Sequence, residues 1–374
     1  MIPTQTACFE TINLFLVLAV HMEGGESSSS FPMGESAQER GLSHVPEYYA
    51  IPTSHRPSLN PETAHVPIID LVGFRDSSSR RPVTVNDIGN ACRRYGFFQI
   101  VNHGIDQFVL DGALSSAFDF FSLPTEEKSK LMSNDVHNPV RYTTSLKDGV
   151  DKTQFWRAFL KHYAYPLEDW VKSWPENPPA YREHMGRYAA EVRKLALEIM
   201  EAITVSLGIG PKYLSNKMEE GMQVMALNCY PPCPQPGLAL GVPPHSDHSC
   251  LTILLQSTTG LEILDTEDGK WRAVPELKGT LQVLVGDHVE VLSNGRYKSV
   301  VHRATLHKER TRISIASLHS LGMDEKMETA KELVDEEHPK GYKESSFRDF
   351  LNLLAKNATI AEGKGFIETL KIQY

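Results

Sequence analysis

The second half of the chain, from about residue 223, consists of short apolar runs separated by turn residues. The runs cover residues 223–230, 251–256, 261–264, 271–274, 281–285, 289–292, 297–304 and 313–318. Asp268-Gly269 and Asn294-Gly295 lie between neighbouring runs and are dipeptides typical of β-hairpin turns. Short strands this close together predict a mainly β fold, either a β-sandwich or a jelly roll.

The first half of the chain is patterned for helices that flank two strands. Over residues 180–207, apolar side chains recur at three- and four-residue steps, which predicts a long helix packed on a sheet. A second helix is expected over residues 84–95, with Thr84 as its N-cap. The remaining predictions are a broken helix over 105–132, a short apolar strand at 66–71 and a buried strand at 97–101.

These patterns divide the chain into four parts. Residues 1–44, which include a run of consecutive serines, predict a disordered leader. A helix-rich N-terminal region spans residues 45–210, the β core spans 211–323, and a polar helical tail spans 324–374. We expect one domain, mainly β, in which flanking helices support the β core.

Composition and charge argue against several classes of partner. Of the 374 residues, 41% are hydrophobic and 23% are charged, as in ordinary globular proteins. The formal net charge is -9 and the pI is about 5.9, which argues against nucleic acid or an anionic membrane surface. We therefore expect no nucleic-acid or membrane partner, while the charge says nothing finer about a substrate. A monomer is expected, and the small-molecule partner is predicted from the residues described below.

The cysteines and the first apolar run bear on location. The five cysteines are odd in number and form no Cys-x-x-Cys pair, so a reducing compartment, the cytoplasm, is expected. The apolar run 11–20 is too short to span a bilayer. No basic residue precedes Arg40, so an N-terminal targeting segment is the weaker alternative. Translation from Met22 is a simpler explanation of the run.

Three side chains combine into a predicted metal site. His245 and Asp247 open a run interpreted as one strand, residues 244–256, in which side chains two apart share a face. His302 lies in another predicted strand. Two histidines and one carboxylate on one face of a metal are the ligand set of Fe(II) oxygenases. His-x-Asp alone is common, and a lone strand histidine is usually a hydrogen-bonded core residue, so the combination carries the prediction.

A second set of side chains predicts an anion site. Arg312 and Ser314 are two residues apart on a predicted strand and share a face. A buried guanidinium is costly unless an anion meets it, and its fork suits a carboxylate. The alternative is an internal salt bridge to Asp or Glu. Tyr230, two residues after Asn228, can add a hydrogen bond to the same carboxylate, or it is a core tyrosine before a proline turn.

Several segments carry a resemblance to a known family: Val66-Pro-Ile-Ile-Asp70, Tyr95-Gly-Phe-Phe-Gln-Ile-Val-Asn-His-Gly104, Asn228-Cys-Tyr-Pro-Pro-Cys233, His245-Ser-Asp-His-Ser-Cys-Leu-Thr-Ile-Leu-Leu-Gln256, Leu292-Ser-Asn-Gly-Arg-Tyr-Lys-Ser-Val-Val-His302-Arg303 and Arg312-Ile-Ser314. Together they resemble the plant 2-oxoglutarate/Fe(II)-dependent dioxygenases, over roughly residues 60–350. Within the family, the sequence is most similar to the specialised-metabolism branch, which includes flavanone 3-dioxygenases, salicylate hydroxylases and indole-amine (melatonin) hydroxylases.

The resemblance implies a fold, a reaction and cofactors. The fold is a double-stranded β-helix (jelly-roll) core, and the cofactors are Fe(II), 2-oxoglutarate as co-substrate and O2, with ascorbate as reductant. The expected reaction hydroxylates or desaturates a small aromatic plant metabolite, such as a flavonoid, phenolic acid or indole amine, with release of succinate and CO2. Residues 138–146, 155–163 and 347–354 are expected to line the substrate pocket.

The resemblance also implies roles for individual residues. Iron would be held by His245, Asp247 and His302, and 2-oxoglutarate by Arg312, Ser314 and Tyr230, with Asn228 near its keto-acid end. Two other functions stay open. A metal-dependent hydrolase or isomerase on a jelly-roll scaffold would leave the arginine and serine without a task, and a non-catalytic small-molecule sensor would bind without turnover.

Overall fold

A computed structural model of the chain describes residues 34–37, 39–75, 80–144, 154–356 and 365–373, so most of the predicted leader lies outside it. Within these ranges, the strands form one eight-stranded and one four-stranded sheet. The strands are β1 (Ile68–Asp70), β2 (Phe97–Val101), β3 (Val140–Thr143), β4 (Ala158–Tyr165), β5 (Met222–Tyr230), β6 (Val242–His245), β7 (Leu251–Gln256), β8 (Leu261–Leu264), β9 (Trp271–Ala273), β10 (Leu281–Val285), β11 (His302–Ala304) and β12 (Arg312–Ser320).

The two sheets pack face to face, which confirms the mainly β architecture. The large sheet has the order β1-β2-β10-β7-β12-β5-β4-β3, and the small sheet has the order β6-β11-β8-β9. Leu254 and Leu284 of the large sheet form one buried cluster with Leu261 and Ile263 of the small sheet. This cluster is the apolar interior between the sheets, and it defines the inner face of each sheet.

Strands from both halves of the chain share the large sheet. β2 pairs with β10, and β4 pairs with β5, in both cases antiparallel. The boundary expected at residue 211, between the N-terminal region and the β core, therefore separates strands that belong to one continuous sheet. β2 is buried along almost its whole length, as the run of apolar residues at 97–101 predicts for a strand covered on both faces.

Helices cover the outer face of the large sheet. The predicted helix 180–207 is present as Tyr181–Ser206, and its buried stripe includes Val192 and Leu195, which share a cluster with Leu227 of β5. Among the described residues, no helix is long and apolar enough to cross a bilayer. The α-helices are Val72–Arg75, Arg80–Arg94, Gln107–Phe121, Thr125–Ser129, Leu167–Trp170, Tyr181–Ser206, Ser215–Glu219, Asp287–Leu292, Phe347–Lys356 and Phe366–Leu370.

The predicted strand at 289–292 and hairpin at Asn294-Gly295 are wrong. The run belongs to the short helix Asp287–Leu292, and all its residues are buried, so no periodicity distinguishes it from a strand. Asn294 and Gly295 have φ values of 53° and 75° and follow that helix. The predicted strand 297–304 is reduced to β11. The Asp268-Gly269 turn is confirmed, because it joins the antiparallel pair β8 and β9.

Two helix predictions change in extent. Thr84 is not an N-cap, because the helix already begins at Arg80 and the Thr84 hydroxyl donates to the Arg80 carbonyl. In the tail, the described α-helices after residue 323 are Phe347–Lys356 and Phe366–Leu370, and much of the rest is irregular. Tyr342 ties this tail to the core by donating to the buried carboxylate of Glu290 at 2.8 Å.

Candidate functional site

The two predicted histidine ligands stand opposite each other on paired strands of the small sheet. His245 ends β6 and His302 begins β11, and the pairing makes them direct partners with ring centroids 4.2 Å apart. Asp247 lies beyond the strand, in the segment that connects β6 to β7. The expectation of one strand over residues 244–256 is wrong, since the strand stops at His245 and the next begins at Leu251.

Asp247 is nevertheless directed at both histidines. Its Oδ1 lies 3.7 Å from Nε2 of His245 and 3.8 Å from Nε2 of His302. The backbone N–H of Asp287 donates to the Asp247 carbonyl at 2.8 Å, which holds the connecting segment in place. A Cβ at Gly286 would lie 1.9 Å from the nearest carbonyl oxygen of that segment, so this close approach requires glycine. Tertiary backbone contacts, rather than strand alternation, therefore bring the carboxylate to the histidines.

Backbone carbonyls orient both imidazole rings. Nδ1 of His245 lies 2.8 Å from the Pro243 carbonyl, and Nδ1 of His302 lies 3.1 Å from the Val300 carbonyl. Because a carbonyl oxygen only accepts, each Nδ1 carries the proton and donates it. The lone pair of each Nε2 is then free to bind a metal, as is usual for metal-ligating histidines.

The three side chains fit a transition-metal ion. Their ligand atoms all lie within 4.8 Å of one another, and no other His, Cys, Asp or Glu group in the described ranges meets that condition. Burial, followed by the neighbouring His302, lowers the pKa of His245 to about 4, which keeps its imidazole neutral at physiological pH. Two imidazole nitrogens and one carboxylate on one side of the site could hold Fe(II) and leave other positions open.

Arg312 lies at the start of β12 and is buried, with 4% of its surface exposed. Its Nε donates to the Thr258 carbonyl at 3.2 Å, and its Nη2 donates to Oε1 of Gln256 at 2.9 Å. No Asp or Glu within the described ranges forms a salt bridge with it, whereas the buried Arg303 pairs with Glu262 at 2.7 Å. The internal salt bridge considered as an alternative is therefore not found among these residues.

Two donors in the Arg312 pocket have no acceptor. Nη1 of Arg312 and Nε2 of Gln256 are buried and make no hydrogen bond within the described part of the chain. Burial lowers the pKa of Arg312, and the nearby Tyr230 phenol opposes that effect. The Tyr230 ring centroid lies 4.8 Å from Cζ of the arginine. A carboxylate would supply the missing acceptors and the missing negative charge, so the pocket fits one end of 2-oxoglutarate.

Strand register brings the other predicted residues together. Across β12, Arg312 is opposite Tyr230, and Ser314 is opposite Asn228. Directly opposed residues of an antiparallel pair point to the same face, so all four line the inner face of the large sheet. Asn228 Oδ1 accepts a hydrogen bond from Nη1 of Arg157 at 2.8 Å.

Gln256, Thr258 and Gly260 shape the Arg312 pocket and were not predicted. Gly260 has a φ of 137°, and a Cβ there would lie 2.8 Å from Cδ of Arg312. Its position in a turn between two apolar runs was visible in the sequence, but a turn glycine does not reveal which side chain passes over it. His248, next to Asp247, takes no part in the cluster, because its ring stacks on Phe350 at 4.5 Å.

Comparison with known proteins gives the family. Residues 221–320 match the 2OG-Fe(II) oxygenase superfamily, and residues 66–178 match the family described as non-haem dioxygenase in morphine synthesis N-terminal. Flavanone 3-dioxygenase 3 of Oryza sativa subsp. japonica is 49% identical over 323 residues, which is 86% of this chain and 98% of that protein. The chain belongs to the 2OG-Fe(II) oxygenase superfamily.

Two further relatives agree with that assignment. The 2-oxoglutarate-dependent dioxygenase 21, chloroplastic, of the same organism is 49% identical over 317 residues, 84% of this chain and 94% of that protein. The crystal structure of JOX2 in complex with 2OG, Fe, and JA aligns with a TM-score of 0.78 and 31% identity, covering 89% of this chain and 95% of that chain. This protein is a dioxygenase that uses Fe(II) and 2-oxoglutarate, and the predicted jelly-roll core is confirmed.

Proposed function

We propose that this dioxygenase hydroxylates or desaturates a small aromatic plant metabolite at a centre built by His245, Asp247 and His302. The observation that carries the proposal is the buried Arg312, whose Nη1 lacks an acceptor and which forms no salt bridge within the described residues. A metal-dependent hydrolase or isomerase would leave this cation without a binding partner. A 2-oxoglutarate-dependent enzyme gives it one, because the far carboxylate of that co-substrate needs a buried cation.

Each residue takes one role in this proposal. The two Nε2 atoms and the Asp247 carboxylate hold Fe(II), while the carbonyl-bonded Nδ1 atoms keep the rings oriented. Bound iron with 2-oxoglutarate supplies the oxidising chemistry, in which O2 is consumed and succinate and CO2 are released. Arg312 and Ser314 bind the far carboxylate, Tyr230 assists from the opposite strand, and Asn228 lies near the keto-acid end.

The substrate class rests on the surroundings of this centre and on the relatives. Phe159 is partly exposed on the strand next to Asn228, within the segment 155–163 expected to form a pocket wall. A partly exposed aromatic ring offers a stacking surface for a planar substrate. One relative at 49% identity is named a flavanone 3-dioxygenase, which supports a small substrate with an aromatic ring here.

Succinate release tests the proposal. Purified protein is given Fe(II), ascorbate and 2-oxoglutarate with a panel of flavanones, salicylate and indole amines, and product mass is measured in parallel. We expect at least one panel member to stimulate succinate release and to gain one oxygen or lose two hydrogens. His245→Ala and Asp247→Ala should abolish this release, while His338→Ala, at an exposed histidine paired with Asp335, should not. Undiminished turnover in the first two variants would refute the proposal.

Location and assembly stay predictions. Cys92, Cys229, Cys233 and Cys250 are buried free thiols, which fits the reducing compartment expected from the sequence. Light scattering of the purified protein would test the expected monomer. A fluorescent fusion of the full chain would test the cytoplasmic location against a targeted one.

A further inference from the structure

The inner face of the large sheet is open near its centre. Ala226 on β5 and Ala316 and Leu318 on β12 are partly exposed, although both strands have neighbours on each side. Their sequence neighbours Leu227 and Ile315, which point to the outer face, are fully buried under the helices. Exposure confined to one face of these central strands indicates room beside the two alanines, of which Ala316 also packs against the buried cluster between the sheets. We call Ala226 and Ala316 the alanine floor.

Two cations stand at the edge of this floor. Lys161 on β4 is opposite Ala226 on one side and opposite Arg141 of β3 on the other. Opposed residues share a face, so a single row across the sheet reads Arg141, Lys161, Ala226 and Ala316. The row that holds Asn228 is two residues further along β5, about 7 Å away at the usual strand rise.

Both cations are buried. Lys161 is 8% exposed and Arg141 is 3% exposed. The Lys161 ammonium donates to the Val136 carbonyl at 2.9 Å and lies 5.0 Å from the Tyr163 ring centroid. Like charges that face each other across two strands are destabilising. Burial, and then the charge of Arg141, lower the pKa of Lys161 to about 7, because both make the charged ammonium less favourable.

Lys128 is a second buried lysine, and its charge is paired with a carboxylate inside the protein. It is 1% exposed, and its ammonium donates to the Glu39 carboxylate at 2.7 Å. Lys161 has no comparable partner within the described residues, where the charge of Arg141 affects its pKa more strongly than the charge of Asp135 does. An ammonium has three donors, and one carbonyl uses one of them.

We propose that Lys161, with Arg141 opposite it, binds the carboxylate of an aromatic acid whose ring lies on the alanine floor beside Phe159. This inference rests on the proposed function and narrows its substrate class. The carboxylate separates two like charges and accepts from the unused ammonium donors, while small floor residues leave room for the ring. An amine in the same position is repelled by both cations, and a neutral ring system gains nothing from them.

Paired ligands test the charge requirement directly. The full-length protein, loaded with Fe(II) and 2-oxoglutarate under anaerobic conditions, is titrated calorimetrically with 2-hydroxybenzoate, cinnamate and 1-naphthoate, each beside its primary amide. Acid and amide share a ring and differ in charge. We expect at least one acid to bind tenfold or more tightly than its amide.

Variants then assign the effect to Lys161. Lys161→Met should weaken binding of the acid at least tenfold and change binding of the amide less than twofold, while Lys161→Arg should keep most of the preference. Lys326→Met, at an exposed lysine paired with Glu344, serves as the control and should change neither. Ala226→Leu places a larger side chain on the alanine floor and should weaken binding of the acid and of the amide alike.

Two results would overturn the inference: no acid in the panel binds more tightly than its amide, or Lys161→Met weakens both members of a pair equally. Substrate-independent succinate release and 2-oxoglutarate binding are measured on the same preparations. If both are normal while the acid preference is absent, only the inference fails. If the wild-type protein shows neither, the proposed function fails.

Discussion

Replacing Arg312 by methionine removes one buried positive charge. This charge is expected to have opposite effects on co-substrate binding and on the stability of the ligand-free protein. The guanidinium donates through Nε and Nη2 to neutral oxygens, leaves Nη1 without an acceptor, and forms no salt bridge within the described residues. Without 2-oxoglutarate, the arginine is therefore a buried cation with incomplete compensation. In the proposed function, Arg312 anchors the far carboxylate of bound 2-oxoglutarate. Arg312→Met should weaken co-substrate binding without destabilising the ligand-free protein.

The expected magnitudes follow from burial. Removing one partner of a buried, hydrogen-bonded charge pair costs about 2–5 kcal/mol of binding free energy. At 1.4 kcal/mol per tenfold, the dissociation constant of 2-oxoglutarate should rise roughly 30- to 4,000-fold. Burying a charge without a counter-ion is costly, and removing that cost offsets the loss of the two hydrogen bonds to neutral oxygens, so the free energy of unfolding should stay unchanged or rise.

Arg303→Met is the matched control for this prediction. Arg303 is equally buried, but it pairs with Glu262, whose side chain is 1% exposed. Its replacement leaves that carboxylate buried and unpaired, which should cost about 3–5 kcal/mol of unfolding free energy. Calorimetric titration of 2-oxoglutarate under anaerobic conditions and urea unfolding of the ligand-free proteins give both quantities. A co-substrate dissociation constant within threefold of wild type in Arg312→Met, together with a loss of stability like that of Arg303→Met, would refute the reasoning.

Three further substitutions test the shape of the Arg312 pocket, the attachment of the C-terminal tail and the buried charge of Lys161. Gly260→Ala should weaken 2-oxoglutarate binding, because the residue has a φ of 137° and its new Cβ would press on Arg312; a dissociation constant within twofold of wild type contradicts this. Tyr342→Phe removes a hydrogen bond to the buried Glu290 and should cost about 1–3 kcal/mol in urea unfolding, whereas no measurable loss would mean that the tail is not anchored there. The folded protein lowers the pKa of Lys161 from 10.5 to about 7, so the unfolded chain binds more protons between these values and this residue makes stability rise with pH there. Lys161→Met should therefore gain stability over wild type below pH 7 and lose that advantage towards pH 10, and a difference that does not vary with pH counts against the assignment.

Strands could be predicted well where the physical pattern is local. The runs at 251–256, 261–264 and 281–285 coincide with β7, β8 and β10, because turn residues bound each run and the length is that of a strand. The run at 289–292 has the same composition, but it is a helix that is buried on every side. A short apolar run buried all round carries no period, so only tertiary contacts decide its conformation.

The candidate site shows the same division. The residue types of the metal cluster could be selected from the sequence, but the geometric reason given for Asp247 was wrong. A backbone hydrogen bond from Asp287 helps to place it, and that contact joins segments far apart in the chain. The roles of Gln256 and Gly260 could not be predicted, because they exist only in relation to Arg312 on another strand.

Joint binding of iron and 2-oxoglutarate tests whether Asp247 helps to hold the metal and whether Arg312 holds the co-substrate. Equilibrium dialysis under anaerobic conditions, at a 2-oxoglutarate concentration near the wild-type dissociation constant, allows both to be quantified on the same protein. We expect that wild type holds one iron per chain together with 2-oxoglutarate, that Asp247→Ala loses both, and that Arg312→Met keeps the iron but loses the co-substrate. Wild-type iron content in Asp247→Ala, or wild-type 2-oxoglutarate binding in Arg312→Met, would contradict this expectation.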